Sequence, residues 1–285
     1  MPRALVQAKA SEGKFPKRSF YEAVLSASTA SANAAKPPVV VSIMRSSLHN
    51  GKLASMASFA ADGSDNQRSL LTDATYTQMS AMAKEAEQAG AIAVAANVDA
   101  GNFRGAYEDL ETLKQGTKLP VLCDDFLIYG YQLFRAKSCG ADAIKVMASV
   151  LAPTDISYNI KIGKALGLAF VVVVSSKTQM LDVLQNVAGV EMISVTSRNM
   201  RLWKLDEGKA HRILSDPEVQ EALGAVKKKR DAEGGKLLIL QEGFSSKEEM
   251  VLAKKDGVDA VILGEELLFD NDKIDFSTIL KKWLV

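Results

Sequence analysis

At 285 residues, 47% hydrophobic and 24% charged, the chain has the composition of an ordinary soluble globular protein, long enough for one extensive core or two small domains. Its 35 basic and 34 acidic residues leave a formal charge of +1, so no global field draws it to nucleic acid or to an anionic membrane. Cys123 and Cys139 form no CxxC pair, metal cluster or secreted disulfide framework and read as buried thiols of a reducing compartment, while the apolar run from Leu166 to Val174 falls short of the roughly 18 residues of a membrane span.

The first 37 residues are rich in Ala, Ser, Lys and Arg and hold only Glu12 and Glu22 as acids, a composition shared with organellar transit peptides. Phe20 to Leu25 nevertheless has the spacing of an amphipathic helical turn. This assigns most of residues 1–37 to the fold, as a helical extension ahead of a barrel at 38–285. After Pro37 and Pro38, short β-branched runs alternate with longer helical patterns, the signature of βα units around a parallel sheet. The predicted strands are Val39–Met44, Ala91–Ala95, Val121–Cys123, Ala143–Met147, Ala169–Val174, Met192–Val195, Leu237–Leu240 and Ala260–Leu263. Helices are predicted over Thr75–Ala89, Tyr129–Ser138, Pro153–Leu166, Lys177–Asn186, Asp216–Ala232 and Lys247–Lys255.

Eight such units in about 250 residues fit a single (β/α)8 TIM barrel with an N-terminal helical extension. A doubly wound open sheet would want a Gly-rich phosphate fingerprint after its first strand, and the stretch from Arg45 to Gly51 is not GxGxxG. Recurring joints, among them Gly140-Ala-Asp-Ala and Gly257-Val-Asp-Ala, place a glycine after each helix and a strand at once behind it; they read as structure, not as a binding site. The basic cluster Lys227 to Arg230 reads as a solvated helix face.

Residues Pro120 to Gln132, Ala136 to Ile144 and Gly257 to Glu265 carry a specific resemblance, from about Ser19 to the C-terminus, to the indole-3-glycerol phosphate synthase family, with plant-type members the most similar. The resemblance implies a reaction that condenses a carboxylated aminosugar phosphate with loss of carbon dioxide and water. It also implies a proton donor, a proton acceptor and cations for carboxylate and phosphate at the C-terminal strand ends. Against the family pattern, Ser42 stands for the first-strand Glu and Met44 for its Lys, with Arg45, Ser47 and Gly51 kept. Asp124 replaces the acid lysine beside a retained Asp125 and Phe126, and Val173 replaces the general base. Thr196-Ser-Arg198 keeps only the arginine of Asn-Asn-Arg. Gln241-Glu-Gly243 keeps Glu242, and Gly264-Glu-Glu266 sets a carboxylate where the family cradles phosphate. Loss of one acid or base commonly costs about 10²–10⁴ in rate, and several are missing together.

Lys145 runs against simple decay. Strand alternation points it into the barrel mouth beside Asp124, either as a structural ion pair or as a relocated acid or Schiff-base amine. His49 and His211 lack metal-spaced or triad partners; Met44, Met147 and Met192 read as core fillers, and Phe126, Phe134 and Trp203 as packing residues.

The expectation favoured by these residues is a non-catalytic homologue of the family acting as a protein-binding or structural subunit, in a plastid or alternatively the cytoplasm, with no cofactor, metal, nucleic acid or membrane insertion. A second reading is a diverged synthase or another barrel lyase or isomerase, with Lys145, Asp124 and Glu242 as candidate catalytic groups. A third is a small-anion sensor using Arg45, Ser47, Arg198, Gly243 and Gly264. An enzyme requires Lys145 and a carboxylate converging on an open pocket, a sensor an open cationic pocket, and a scaffold a plugged or self-neutralised mouth.

Overall fold

The computed structural model describes residues 14–49, 52–55, 73–199, 202, 204–267 and 276–284. Helix α1 (Phe20–Ala30) starts at Ser19, whose side chain accepts the Glu22 amide at 3.2 Å. Eight parallel strands then close into a ring: β1 (Val39–Ile43), β4 (Ala93–Asn97), β5 (Val121–Asp124), β6 (Ala143–Met147), β7 (Ala169–Val174), β8 (Met192–Thr196), β11 (Leu238–Glu242) and β12 (Ala260–Leu263). The ring closes where β1 pairs with both β4 and β12. Around it lie α2 (Asp73–Gln88), α3 (Tyr107–Gly116), α4 (Tyr131–Ser138), α5 (Pro153–Ala165), α6 (Lys177–Asn186), α7 (Lys209–Leu214), α8 (Pro217–Ala232), α9 (Lys247–Lys255) and α10 (Phe276–Leu284). The fold is therefore the expected (β/α)8 barrel.

Alternation along the strands sorts side chains into two layers. Val41, Ile43, Val94, Ala96, Ile144, Val146, Val172 and Val174 face the helices. Val40, Ala93, Ala95, Leu122, Ala143, Val171, Met192 and Ile262 fill the interior. The small interior residues leave room at the N-terminal end for Phe20 and Val24 of α1, both fully buried, which plug the floor.

The Gly-x-Asp-Ala joints hold that floor. Gly140 and Gly257 adopt φ of +94° and +78°, the left-handed geometry that lets a strand begin directly after a helix. The following aspartates then reach sideways. Asp142 accepts the Val121 amide at 2.9 Å, the Arg18 amide at 3.0 Å and the Lys114 ammonium at 2.5 Å. Asp259 accepts the Ile239 amide at 2.8 Å and the Ser28 hydroxyl at 2.7 Å. Each joint thus binds the start of a neighbouring strand and a point on the N-terminal segment.

Several boundaries move from the sequence expectation for local reasons. β4 begins two residues after Ala91, because the Ala91 amide still donates to Ala86 O at 3.0 Å and closes the end of α2. α4 begins at Tyr131 because Gln132 Oε1 accepts the amides of Ile128 and Tyr129 and fixes that stretch as a turn. β11 runs on to Glu242, paired with Thr196 of β8. An antiparallel hairpin, β2 (Ser46–His49) with β3 (Lys52–Ser55), follows β1 and was not expected; a two-residue pair, β9 (Arg198–Asn199) with β10 (Lys204–Leu205), follows β8. Cys123 is buried and Cys139 half-buried, both as free thiols. No helix among the described residues is long and apolar enough to cross a membrane.

Candidate active site at the barrel mouth

The C-terminal strand ends surround an open pocket. Ser42 and Met44 from β1 and its end, Asn97 from β4, Asp124 from β5, Lys145 and Met147 from β6, Thr196 from β8 and Glu242 from β11 line it. These are the inward positions that alternation dictates, two or four residues beyond the interior layer on each strand.

Lys145 is the centre of the site. Its Nζ lies 2.9 Å from Asp124 Oδ2 on the adjacent strand and 2.6 Å from Glu242 Oε2 on β11, and its side chain is 8% exposed. Burial works to lower its pKa, but the charges of Asp124 and then Glu242 more than offset this and hold it above the ordinary lysine value. The amine therefore stays an ammonium at neutral pH. As such it is no nucleophile, and it releases its proton reluctantly.

The other mouth charges are also paired internally. Arg198 is buried at the start of β9, where its guanidinium meets the Glu265 carboxylate. Glu266 places Oε1 2.8 Å from the Phe244 amide and Oε2 2.8 Å from the Gly264 amide. Its carboxylate thus bridges the loops that follow β11 and β12. Burial pushes this carboxyl above the usual range, with the two amides working in the other direction. Asp125 is held by the Phe126 amide at 2.7 Å and by Tyr107 Oη and Gln132 Nε2 at 3.3 Å.

The sequence candidates separate accordingly. Asp124, Lys145, Glu242, Arg198, Gly243 and Gly264 all meet at the pocket. Gly264 packs on β1: a Cβ there would stand 2.6 Å from Met44 Cε and 3.2 Å from Ser42 Cβ. Gly243 has φ of +77°, and a Cβ there would lie 3.1 Å from Leu205 Cδ2. Arg45 is elsewhere. It is fully buried on the outer side of the barrel, its Nε donating to Asp109 Oδ2 of α3 at 3.0 Å and its guanidinium stacked 5.1 Å from the Tyr76 ring centre. The side chains of Ser47, His49 and Trp203 lie outside the described residues. Val173 faces the interior, buried and apolar. His211 pairs through Nδ1 with Asp256 at 2.9 Å in the helix layer. Phe126 lines the pocket and is not a core residue.

Asn97 and Phe103 were missed, the first because the second strand was ended two residues early. Glu242 was foreseen as a candidate but not as the second partner of Lys145. Its signal in the sequence was its kept place in the family pattern, and the predicted strand stopped at Leu240, short of it. Among the described residues, no group of three or more His, Cys, Asp or Glu side chains is arranged to hold a metal ion.

The chain is 33% identical over 188 residues to the indole-3-glycerol phosphate synthase of Microcystis aeruginosa, a stretch covering 66% of this chain and 60% of that protein. It is 29% identical over 192 residues to "Indole-3-glycerol phosphate synthase, chloroplastic" of Arabidopsis thaliana, covering 67% and 45% of the two chains. The match therefore spans less than two thirds of the length of these relatives. Among solved structures, the tryptophan synthase α subunit of Legionella pneumophila superposes with a TM-score of 0.51 at 15% identity, over 92% of this chain and 97% of that one. A 3-hexulose-6-phosphate synthase gives 0.52 at 12% identity, over 87% and 98%. At such identities the likeness concerns the fold alone. The sequence pattern of indole-3-glycerol phosphate synthase itself is matched from residue 70 to 278, a stretch that carries Asp124, Lys145 and Glu242, and the chain belongs to that family.

Proposed function

We propose that this chain is a non-catalytic member of the family, retained as a protein-binding or structural subunit in a plastid, with the cytoplasm as the alternative compartment. The observation that carries the reading is the seat of Glu266. In the loop that the resemblance assigns to the substrate's phosphate, the Gly264 amide, with that of Phe244 beside it, is taken at 2.8 Å by the chain's own carboxylate. An incoming phosphate would have to displace that group and face its charge. Arg198 is engaged by Glu265, and Lys145 is neutralised from both sides, so both cations of the mouth are taken up by the chain's own carboxylates, as a scaffold leads one to expect. Val173 offers no base. Support for a binding role comes from exposed apolar side chains in and after the loops at the C-terminal strand ends: Ile128 and Tyr129 of the β5–α4 loop, Val150 of the β6–α5 loop and Tyr158 on α5, with Tyr129 and Tyr158 71% and 65% exposed. The chloroplastic relative supports the compartment.

A second reading has one specific observation in its favour: a lysine held between two carboxylates on an open pocket, which suits a diverged lyase using Lys145, Asp124 and Glu242. Turnover of carboxyphenylamino-deoxyribulose phosphate, followed by indole fluorescence at high protein concentration, separates the two. The non-catalytic reading expects no product from the wild type or from Lys145→Ala; product formed by the wild type and lost in the variant overturns it. A subunit role further expects the native protein to migrate above the 30.7 kDa of the chain, and migration as a monomer in native extract counts against it.

A further inference from the structure

We propose that the barrel mouth is a binding site for a small organic cation, a primary amine with an apolar body, and not for an anion. Five carboxylates line the pocket, those of Asp124, Asp125, Glu242, Glu265 and Glu266, against the two cations Lys145 and Arg198. A low-dielectric cleft in which one sign of charge is in excess concentrates ligands of the other. The acceptors are also left with capacity. Lys145 engages Oδ2 of Asp124 and Oε2 of Glu242, and among the described residues no hydrogen bond reaches Asp124 Oδ1 or Glu242 Oε1.

A second observation is independent of the acids. Ser42 is 2% exposed, lies on the pocket wall, and its hydroxyl has no hydrogen-bond partner among the described residues. Buried hydroxyls are nearly always satisfied, so an orphan facing a pocket points to something that satisfies it there. In the ring order, β1 stands two strands from β5 and two from β11, so Ser42 occupies the wall between the two acids. An ammonium has three donors and no acceptor, and the mouth offers it three acceptors: Asp124 Oδ1, Glu242 Oε1 and Ser42 Oγ. Phe103, Phe126, Met147 and Ile262 supply the apolar wall for the rest of the ligand, with aromatic faces suited to a cation.

The proposal goes beyond the non-catalytic reading and is tested by binding, not turnover, so the two fail separately. The full chain is titrated in a calorimeter with 2-phenylethylamine, its neutral isostere propylbenzene, the acid 3-phenylpropionate and inorganic phosphate. The amine is expected to bind at least about tenfold tighter than the neutral compound, with no binding of either anion. Ser42→Ala, which removes only the orphan hydroxyl, is expected to weaken the amine about three- to tenfold, and Glu242→Gln about tenfold or more. Absence of amine binding at about 10 mM, equal binding of the acid or the neutral isostere, or an amine affinity unchanged in Ser42→Ala overturns the proposal.

Discussion

Replacing Lys145 with methionine removes the one cation that Asp124 and Glu242 share while keeping a side chain of similar length. The two carboxylates are only 16% and 15% exposed, so water cannot replace the lost ammonium in full. Breaking a buried pair by deleting one partner costs about 3–5 kcal/mol, and the loss here strands two like charges facing one pocket. For a chain of this size that corresponds to a fall in thermal midpoint on the order of 10 °C. The loss should shrink on acidification, because either stranded carboxylate can take up a proton and end the repulsion. Urea unfolding of wild type and Lys145→Met at about pH 7 and about pH 5 measures both effects. Adding Asp124→Asn and Glu242→Gln to the methionine variant should restore most of the stability. A cost below about 1 kcal/mol at neutral pH, the scale of an exposed ion pair, or a cost independent of pH, would refute the picture of a desolvated triad.

The alkaline limit follows from the same lysine. Its folded pKa stands above the ordinary 10.5, so its contribution is complete below about pH 10.5 and is lost as the pH climbs from there towards the folded value; wild type should lose stability over this range by more than Lys145→Met does, as read by urea midpoints. Arg45→Met should cost about 3–5 kcal/mol in urea unfolding, because it leaves Asp109, 1% exposed, without its guanidinium inside the α3 interface. Glu266→Ala frees the amides of Phe244 and Gly264, so inorganic phosphate at about 10 mM should raise the thermal midpoint of that variant by about 3 °C and leave the wild type unmoved. An equal shift in both proteins would remove Glu266 from its place as the internal occupant of the loop.

The barrel was legible because its strands are β-branched and its joints repeat, and both features are local. The Asp124–Lys145 pair was legible too, since adjacent strands and alternation suffice to predict it. Glu242 as the second partner was not: β11 stands three strands from β6 in the ring, and distance across a barrel is set by its curvature, which no single strand encodes. Arg45 shows the reverse case. The expectation that it binds an anion at the mouth rested on its place in a family pattern, yet with Met44 facing inward the next side chain faces out, where α3 offers the Asp109 carboxylate. The β2–β3 hairpin escaped because its strands are four residues each and lack β-branched runs.

The floor aspartates carry a consequence for the order of assembly. Arg18 reaches Asp142 across 124 positions of chain, and Ser28 reaches Asp259 across 231. Both acceptors are positioned only once their own joints have set the neighbouring strands side by side, and contacts this distant in sequence are slow to form. Helix α1, which precedes every strand of the ring in the chain, is therefore expected to arrive late, seating against the underside after the last unit of the ring is in place. A reporter attached to its exposed face would record completion of the ring, and a ribosome-bound chain lacking β12 would hold the helix without its second anchor.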